Sequence, residues 1–120
     1  MTEYIVLLPD DEAAWERATE EERSATYARH AEFARLLAER GHKITGGTEL
    51  APSREARTVR RRGGEVVVTD GPFAETAEQL GGYYCVETDD LDDLLQVCAI
   101  LATERGPVEV RPTVDHSGTV

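Results

Sequence analysis

The strongest constraint on this chain is the stretch from Thr19 to Gly41, which specifies one long helix with a start, a stop and a single apolar face. Thr19 followed by Glu22 is a capping box, in which the threonine oxygen takes an unpaired backbone donor and the glutamate reaches back to the cap. Gly41 is the left-handed residue that ends a helix. The predicted span to about Arg40 is therefore about 31 Å long at 1.5 Å per residue. His30, Phe33, Ala34 and Leu37 stand at i, i+3, i+4 and i+7, so His30 belongs to the face turned inward. That face lies on a sheet.

The strands of that sheet are readable on both sides of the helix. Tyr4 to Leu8 is a short β-rich run with both parities apolar, which predicts strand 1 as central, covered on two faces or lying partly at an interface. Asp10, Asp11 and Glu12 then open a short helical turn carrying Trp15, a residue suited to capping the core. Ile44 to Leu50 predicts a weak strand in which Gly46 and Gly47 mark a bulge or a close approach. Ala56 to Arg61 and Glu65 to Thr69 flank Gly63-Gly64 and predict a β-hairpin. Tyr83 to Glu87 predicts a further strand, with Tyr83 and Cys85 on one face and Tyr84 and Val86 on the other. Leu91, Leu94, Leu95, Cys98 and Leu101 form the stripe of a second helix that ends at Gly106-Pro107, before a last strand at Val108 to Pro112. The order β, α, β, hairpin, β, α, β is an α+β, ferredoxin-like split βαβ plan with an added β-hairpin. It occupies residues 1–112 as one domain, with 113–120 as a C-terminal tail.

A chain of this length buries roughly 65 to 70% of its unfolded surface and needs no covalent staples. Cys85 and Cys98 fit no metal or redox spacing and read as buried inert thiols. No zinc spacing, P-loop, GxGxxG or nucleophile elbow is present, so neither a metal nor a cofactor is expected. With 24 acidic and 13 basic side chains the net charge is -11, which argues against nucleic acid and anionic membranes as partners. The opposing signal is the cluster Arg54, Arg57, Arg60, Arg61 and Arg62, which reads as a solvated or partner-facing surface, or else as an anion site. The N-terminus MTEYIVLLPDDE lacks a basic leader and an apolar run long enough for a signal, which points to the cytoplasm.

The chemistry is concentrated in Thr69 to Tyr84, TDGPFAETAEQLGGYY. Asp70 stands where a valine-rich strand turns, and strand ends beside cavities are where sites occur. A neutral histidine becomes a directed base when a carboxylate holds its Nδ1–H, and His30 and Asp70 are such a pair in type. The residues alone leave two readings open: a catalytic pair across the helix–sheet layer, or a turn aspartate and a satisfied core histidine. Gly71, Pro72, Phe73 and Glu75 are the candidate ligand contacts of the following loop. Plain turn geometry, with Phe73 anchoring the loop in the core, is their alternative. Thr76, Glu78 and Gln79 continue this polar segment as a pocket rim or a solvated loop.

The run DGPFAETAEQLGGYY resembles the YCII-related family, specifically its DGPF-domain branch, supported by YIVLLPDDEAAW, RGHKITGGTELAP and GPVEVRP. The resemblance covers about residues 1 to 112. It implies a ferredoxin-like subunit that pairs as a homodimer into a dimeric α/β barrel, and a His-Asp dyad in a cleft, placed here on His30 and Asp70. It also implies likeness in architecture to muconolactone isomerases and ring monooxygenases, and an encoding beside extracytoplasmic-function sigma factors. Ala77 departs from the lysine common in the branch, which weakens an anionic substrate. Three functional expectations follow: a dimer binding a small organic molecule in a cleft, a cofactorless enzyme using His30 and Asp70 for acid/base chemistry, and a regulatory binding protein linked to sigma-factor systems.

Overall fold

A computed structural model describes residues 1–104 and 106–117. The elements in chain order are β1 (Thr2–Asp11), α1 (Glu12–Arg17), α2 (Glu20–Glu39), β2 (Lys43–Glu49), β3 (Arg57–Arg62), β4 (Glu65–Asp70), β5 (Glu78–Thr88), α3 (Leu91–Cys98) and β6 (Glu109–Pro112), with a 3₁₀ turn at Ser53–Glu55. Four strands form one antiparallel sheet in the order β2-β5-β1-β6. β1 and β2 run the same way on either side of β5, and α2 carries the crossover between them.

The local signals explain α2. Thr19 Oγ1 accepts from the Glu22 amide at 3.1 Å and Glu22 accepts from the Thr19 amide at 3.0 Å, and Gly41 has φ 82° just past the end. Phe33 and Leu37 are fully buried, and with Val6, Val86, Leu94, Val97 and Cys98 they form the core between the helices and one face of the sheet. Each large apolar side chain buried there stabilises the fold by about 1.5–3 kcal/mol. Tyr4, Leu8, Tyr84 and Val110 pack against the rim of this core. The residues of opposite parity, Ile5 and Leu7 on β1 with Tyr83 and Cys85 on β5, are paired across the strands and belong to no part of it.

The glycines of β2 have a steric cause. The register shifts between Ile44 and Gly46, and Gly47 sits at φ 135°, where a Cβ would come within 2.4 Å of the Tyr83 carbonyl oxygen and 2.8 Å of Tyr84 Cα. Only a residue without a side chain lets β2 lie this close to β5.

Three expectations need correction. The strand ending at Asp70 is not part of the main sheet: β3 and β4 form a separate two-stranded ribbon, turned through Gly63 and Gly64 at φ 55° and 83°. Arginines at 57, 60, 61 and 62 give β3 no continuous apolar face, and charged side chains on an edge resist strand addition. Phe73 does not anchor its loop; it is 83% exposed, because residues 71–77 return from the ribbon outside the core and Arg60 holds the Phe73 carbonyl at 3.1 Å. α3 ends at Cys98, ahead of the expected glycine, and buries Leu94, Val97 and Cys98 while Leu95 is exposed. Among the described residues one chain forms two open antiparallel sheets, and the barrel that the resemblance implies belongs to a paired state. The tail expected at 113–120 is described only to 117, and 118–120 lie outside the described residues.

Candidate functional site

A cleft of about 340 Å³ opens between α2 and the end of the sheet where β1, β2 and β5 meet. This volume lies within the range of small-molecule sites. His30 enters it from α2 and Tyr84 from β5. The His30 Nδ1 atom and the Tyr84 hydroxyl are 2.7 Å apart, and the two rings lie at 5.9 Å with Tyr84 resting in turn on Phe33 at 5.0 Å. The fully buried Phe33 fixes Tyr84, and Tyr84 fixes the imidazole. One ring nitrogen is thereby committed to the protein, and Nε2 has no hydrogen-bond partner among the described residues.

Trp15 of α1, Tyr27 of α2 and Glu49 of β2 line the cleft as well. Trp15 meets Tyr27 edge to face at 5.6 Å, and the Tyr27 hydroxyl donates to the Glu49 carboxylate at 3.3 Å. Arg23 lies 5.2 Å over the Trp15 ring and donates to the Trp15 carbonyl at 2.8 Å, so α1 is clamped to α2. Asp10 completes the floor at the end of β1, where a Cβ on Gly81 would come within 2.9 Å of the Asp10 Cβ.

The electrostatics favour neutral groups. Burial lowers the His30 pKa from its ordinary value, the neighbouring Arg29 guanidinium lowers it further, and Glu49 opposes both. The shift favours the neutral ring. Burial raises the Asp10 pKa, the Asp11 backbone amide opposes this, and the charges of Asp11, Glu12 and Glu49 raise it again. Burial also raises the Tyr84 phenol. In the neutral ring the 2.7 Å bond allows two tautomers. With Nδ1–H donating to Tyr84, Nε2 presents a lone pair to the cleft; with Tyr84 donating to Nδ1, Nε2–H is a donor.

Asp70 is placed elsewhere. It ends β4 on the ribbon with its side chain 85% exposed and ion-paired to Arg57 at 3.1 Å. The Gly71 amide donates to the Ala56 carbonyl at 2.8 Å and its carbonyl accepts from the Thr58 hydroxyl at 2.7 Å, so this glycine closes the base of the ribbon. Phe73 and Glu75 are exposed, and neither they nor Asp70, Gly71 or Pro72 line the cleft. The structure thus joins His30 to Tyr84 and Asp70 to Arg57, and no hydrogen bond or ion pair joins His30 to Asp70 among the described residues.

Sequence reasoning missed most of the cleft. Tyr84 was legible only as a strand residue sharing a face with Val86, and Asp10 as a residue opening a helix. Glu49 and Tyr27 carried no signal, since their contact spans 22 residues of chain. Arg54 of the basic cluster is ion-paired with Glu16. Cys98 is buried, and burial pushes its thiol up to about 11, whereas Cys85 is partly exposed. Among the described residues no group of three or more His, Cys, Asp or Glu side chains is arranged to hold a metal ion, and no helix is long and apolar enough to cross a membrane.

Comparison with known proteins places this architecture. A protein of Rhizobium meliloti (strain 1021), described as the uncharacterized protein R00369, is 36% identical over 112 residues, covering 91% of this chain and 90% of its own length. The YCII-related domain matches residues 2–115, nearly the entire sequence. This chain belongs to the YCII-related family.

Proposed function

We propose that the protein binds a small organic molecule in the His30–Tyr84 cleft and does so as a homodimer of ferredoxin-like subunits. The observation that carries the reading is the 2.7 Å hydrogen bond between His30 Nδ1 and the Tyr84 hydroxyl, which orients a half-buried imidazole lining the cleft and leaves Nε2 without a hydrogen-bond partner among the described residues. Aromatic rings supply apolar contact, and Tyr27, Glu49 and Asp10 supply a few convergent polar groups, the usual makeup of a ligand site. Pairing is supported by Ile5, Leu7, Tyr83 and Cys85. They form an apolar strip on the sheet face that the helices leave open, and a second copy buries such a strip with its own equivalent.

A second reading is favoured by the same bond: His30 moves a proton on the bound molecule. In the tautomer with Nδ1–H on Tyr84, Nε2 is the base, and Tyr84 takes the orienting part that a carboxylate takes in other sites. Asp10 is the carboxyl group that shares the cleft, and its raised pKa suits a group that returns a proton. The expected dyad with Asp70 stays a proposal for the paired state, since Asp70 is exposed on a projecting ribbon.

The test is a thermal-shift screen of small carboxylic acids, phenols, lactones and amines against wild type, His30→Ala and Tyr84→Phe. A ligand at a hundred times its dissociation constant adds about 2.7 kcal/mol of stability. Hits that shift wild type and lose most of the shift in both variants support binding in the cleft. Hits that shift all three proteins equally place the ligand elsewhere. Turnover of a hit that survives His30→Ala removes His30 as the base.

A further inference from the structure

The β3–β4 ribbon carries an apolar surface that no described residue covers. Its register pairs Val59 with Val68 and Arg61 with Val66, so Val59, Val66 and Val68 share one face beside Arg61. The three valines are 66%, 56% and 59% exposed. A two-stranded ribbon is marginal in water by itself and gains stability from packing on another surface. The ribbon springs from the end of the sheet that holds the cleft: the Glu12 carboxylate accepts from the Ser53 amide at 3.0 Å, just before β3, and β5 begins eight residues after β4. The chain spreads over 51 × 50 × 19 Å with a radius of gyration of 16.8 Å, against about 14 Å for a compact chain of this length. It is a flat body with an arm.

Charge indicates what the arm meets. Arg57, Arg60, Arg61 and Arg62 against Glu65 and Asp70 give the ribbon +2, so with -11 for the entire chain the remainder carries -13. Arg57 is satisfied by Asp70 and Arg60 by Thr69 and the Phe73 carbonyl, whereas Arg61 and Arg62 have no ion pair among the described residues. A basic arm with an apolar face, on a strongly acidic body, is complementary to a second copy of that body.

We propose that the β3–β4 ribbon is a clasp whose Val59, Val66 and Val68 face closes on the acidic body of a second copy of this chain, with the partner's ribbon closing reciprocally. The proposal rests on the paired state described above and adds to it a contact outside the sheet faces. Arg61 and Arg62 steer the approach, and the valines supply the buried area. The clasp therefore weakens with salt more than a contact between apolar sheet faces does.

The test is sedimentation velocity on four proteins: wild type, the triple variant Val59→Ser/Val66→Ser/Val68→Ser, the pair Arg61→Glu/Arg62→Glu, and the sheet-face variant Leu7→Asp. Wild type is expected to be a dimer. The serine variant, whose core is untouched and whose far-UV circular dichroism should match wild type, is expected to dissociate at least about tenfold more readily. Raising salt from about 0.1 M to about 1 M shortens the Debye length from about 10 Å to about 3 Å. It should weaken the wild-type dimer and leave the Arg61→Glu/Arg62→Glu dimer unaffected or tighter. The arginine pair keeps the test open if the serine variant aggregates. A dimer indifferent to both ribbon variants but broken by Leu7→Asp overturns the clasp and keeps the sheet-face pairing. A monomeric wild type overturns both, and a monomer that shifts duplex DNA on a gel assigns the arginines to nucleic acid instead.

Discussion

The imidazole of His30 is held by one hydrogen bond and tuned by burial and two charged neighbours, and each makes a separable contribution. Burial and Arg29 depress its pKa while Glu49 raises it. Glu49→Gln should therefore lower the His30 pKa further and Arg29→Ala should raise it, both read from the imidazole Cε1–H shift against pH. A folded pKa below the unfolded value means that the unfolded chain takes up the proton first. His30 thus opposes folding as pH falls from about 6.5 towards its folded pKa, and His30→Gln should flatten the acid limb of the stability curve. Asp10 works in the opposite sense: its raised pKa makes the ionised form costly in the fold, and Asp10→Asn should stabilise the protein above the carboxylate range and not below it. A second histidine serves the fold instead. His42 is buried with Nδ1 2.6 Å from the Thr88 hydroxyl and Nε2 2.7 Å from Asp93, which joins the end of α2 to β5 and α3. Thr88→Val leaves that buried ring nitrogen without its partner and should cost about 1–3 kcal/mol in urea unfolding.

The elements were largely legible and their assembly was not. α2 was readable because its cap, its stop and its apolar face are all local, and β2 because Gly46-Gly47 announces a close approach. Gly47→Ala tests the second point. Its Cβ would collide with the Tyr83 carbonyl at a φ that favours glycine, so a loss of several kcal/mol is expected, with the β2–β5 amides losing hydrogen-exchange protection. The ribbon shows the limit of such reading. Gly63-Gly64 specifies a hairpin without saying where it docks, and the alternation of Val66 and Val68 looks like a sheet strand until four arginines on β3 are weighed against it. Asp70 was misplaced for that reason: its strand was real, but its sheet was a different one. The partners of His30 and Tyr27, 54 and 22 residues away, depend on packing that no local pattern encodes.

At the scale of the molecule, the valine face of the ribbon is exposed, and the strip of Ile5, Leu7, Tyr83 and Cys85 is partly exposed. Each is expected to meet a second copy, and the groups that line the cleft between α2 and the sheet end, His30, Tyr84, Tyr27, Glu49 and Asp10, all come from one chain. Leu7→Asp should consequently break the dimer without moving the His30 resonance. This cleft is where the protein is proposed to meet its ligand. A crystallographic fragment screen tests it most directly, since it asks the protein where small organic molecules settle. Fragments are expected to bind against Trp15 and Tyr84, with a polar atom within hydrogen-bond distance of His30 Nε2. Fragments that gather elsewhere and leave the His30 cleft empty would contradict it.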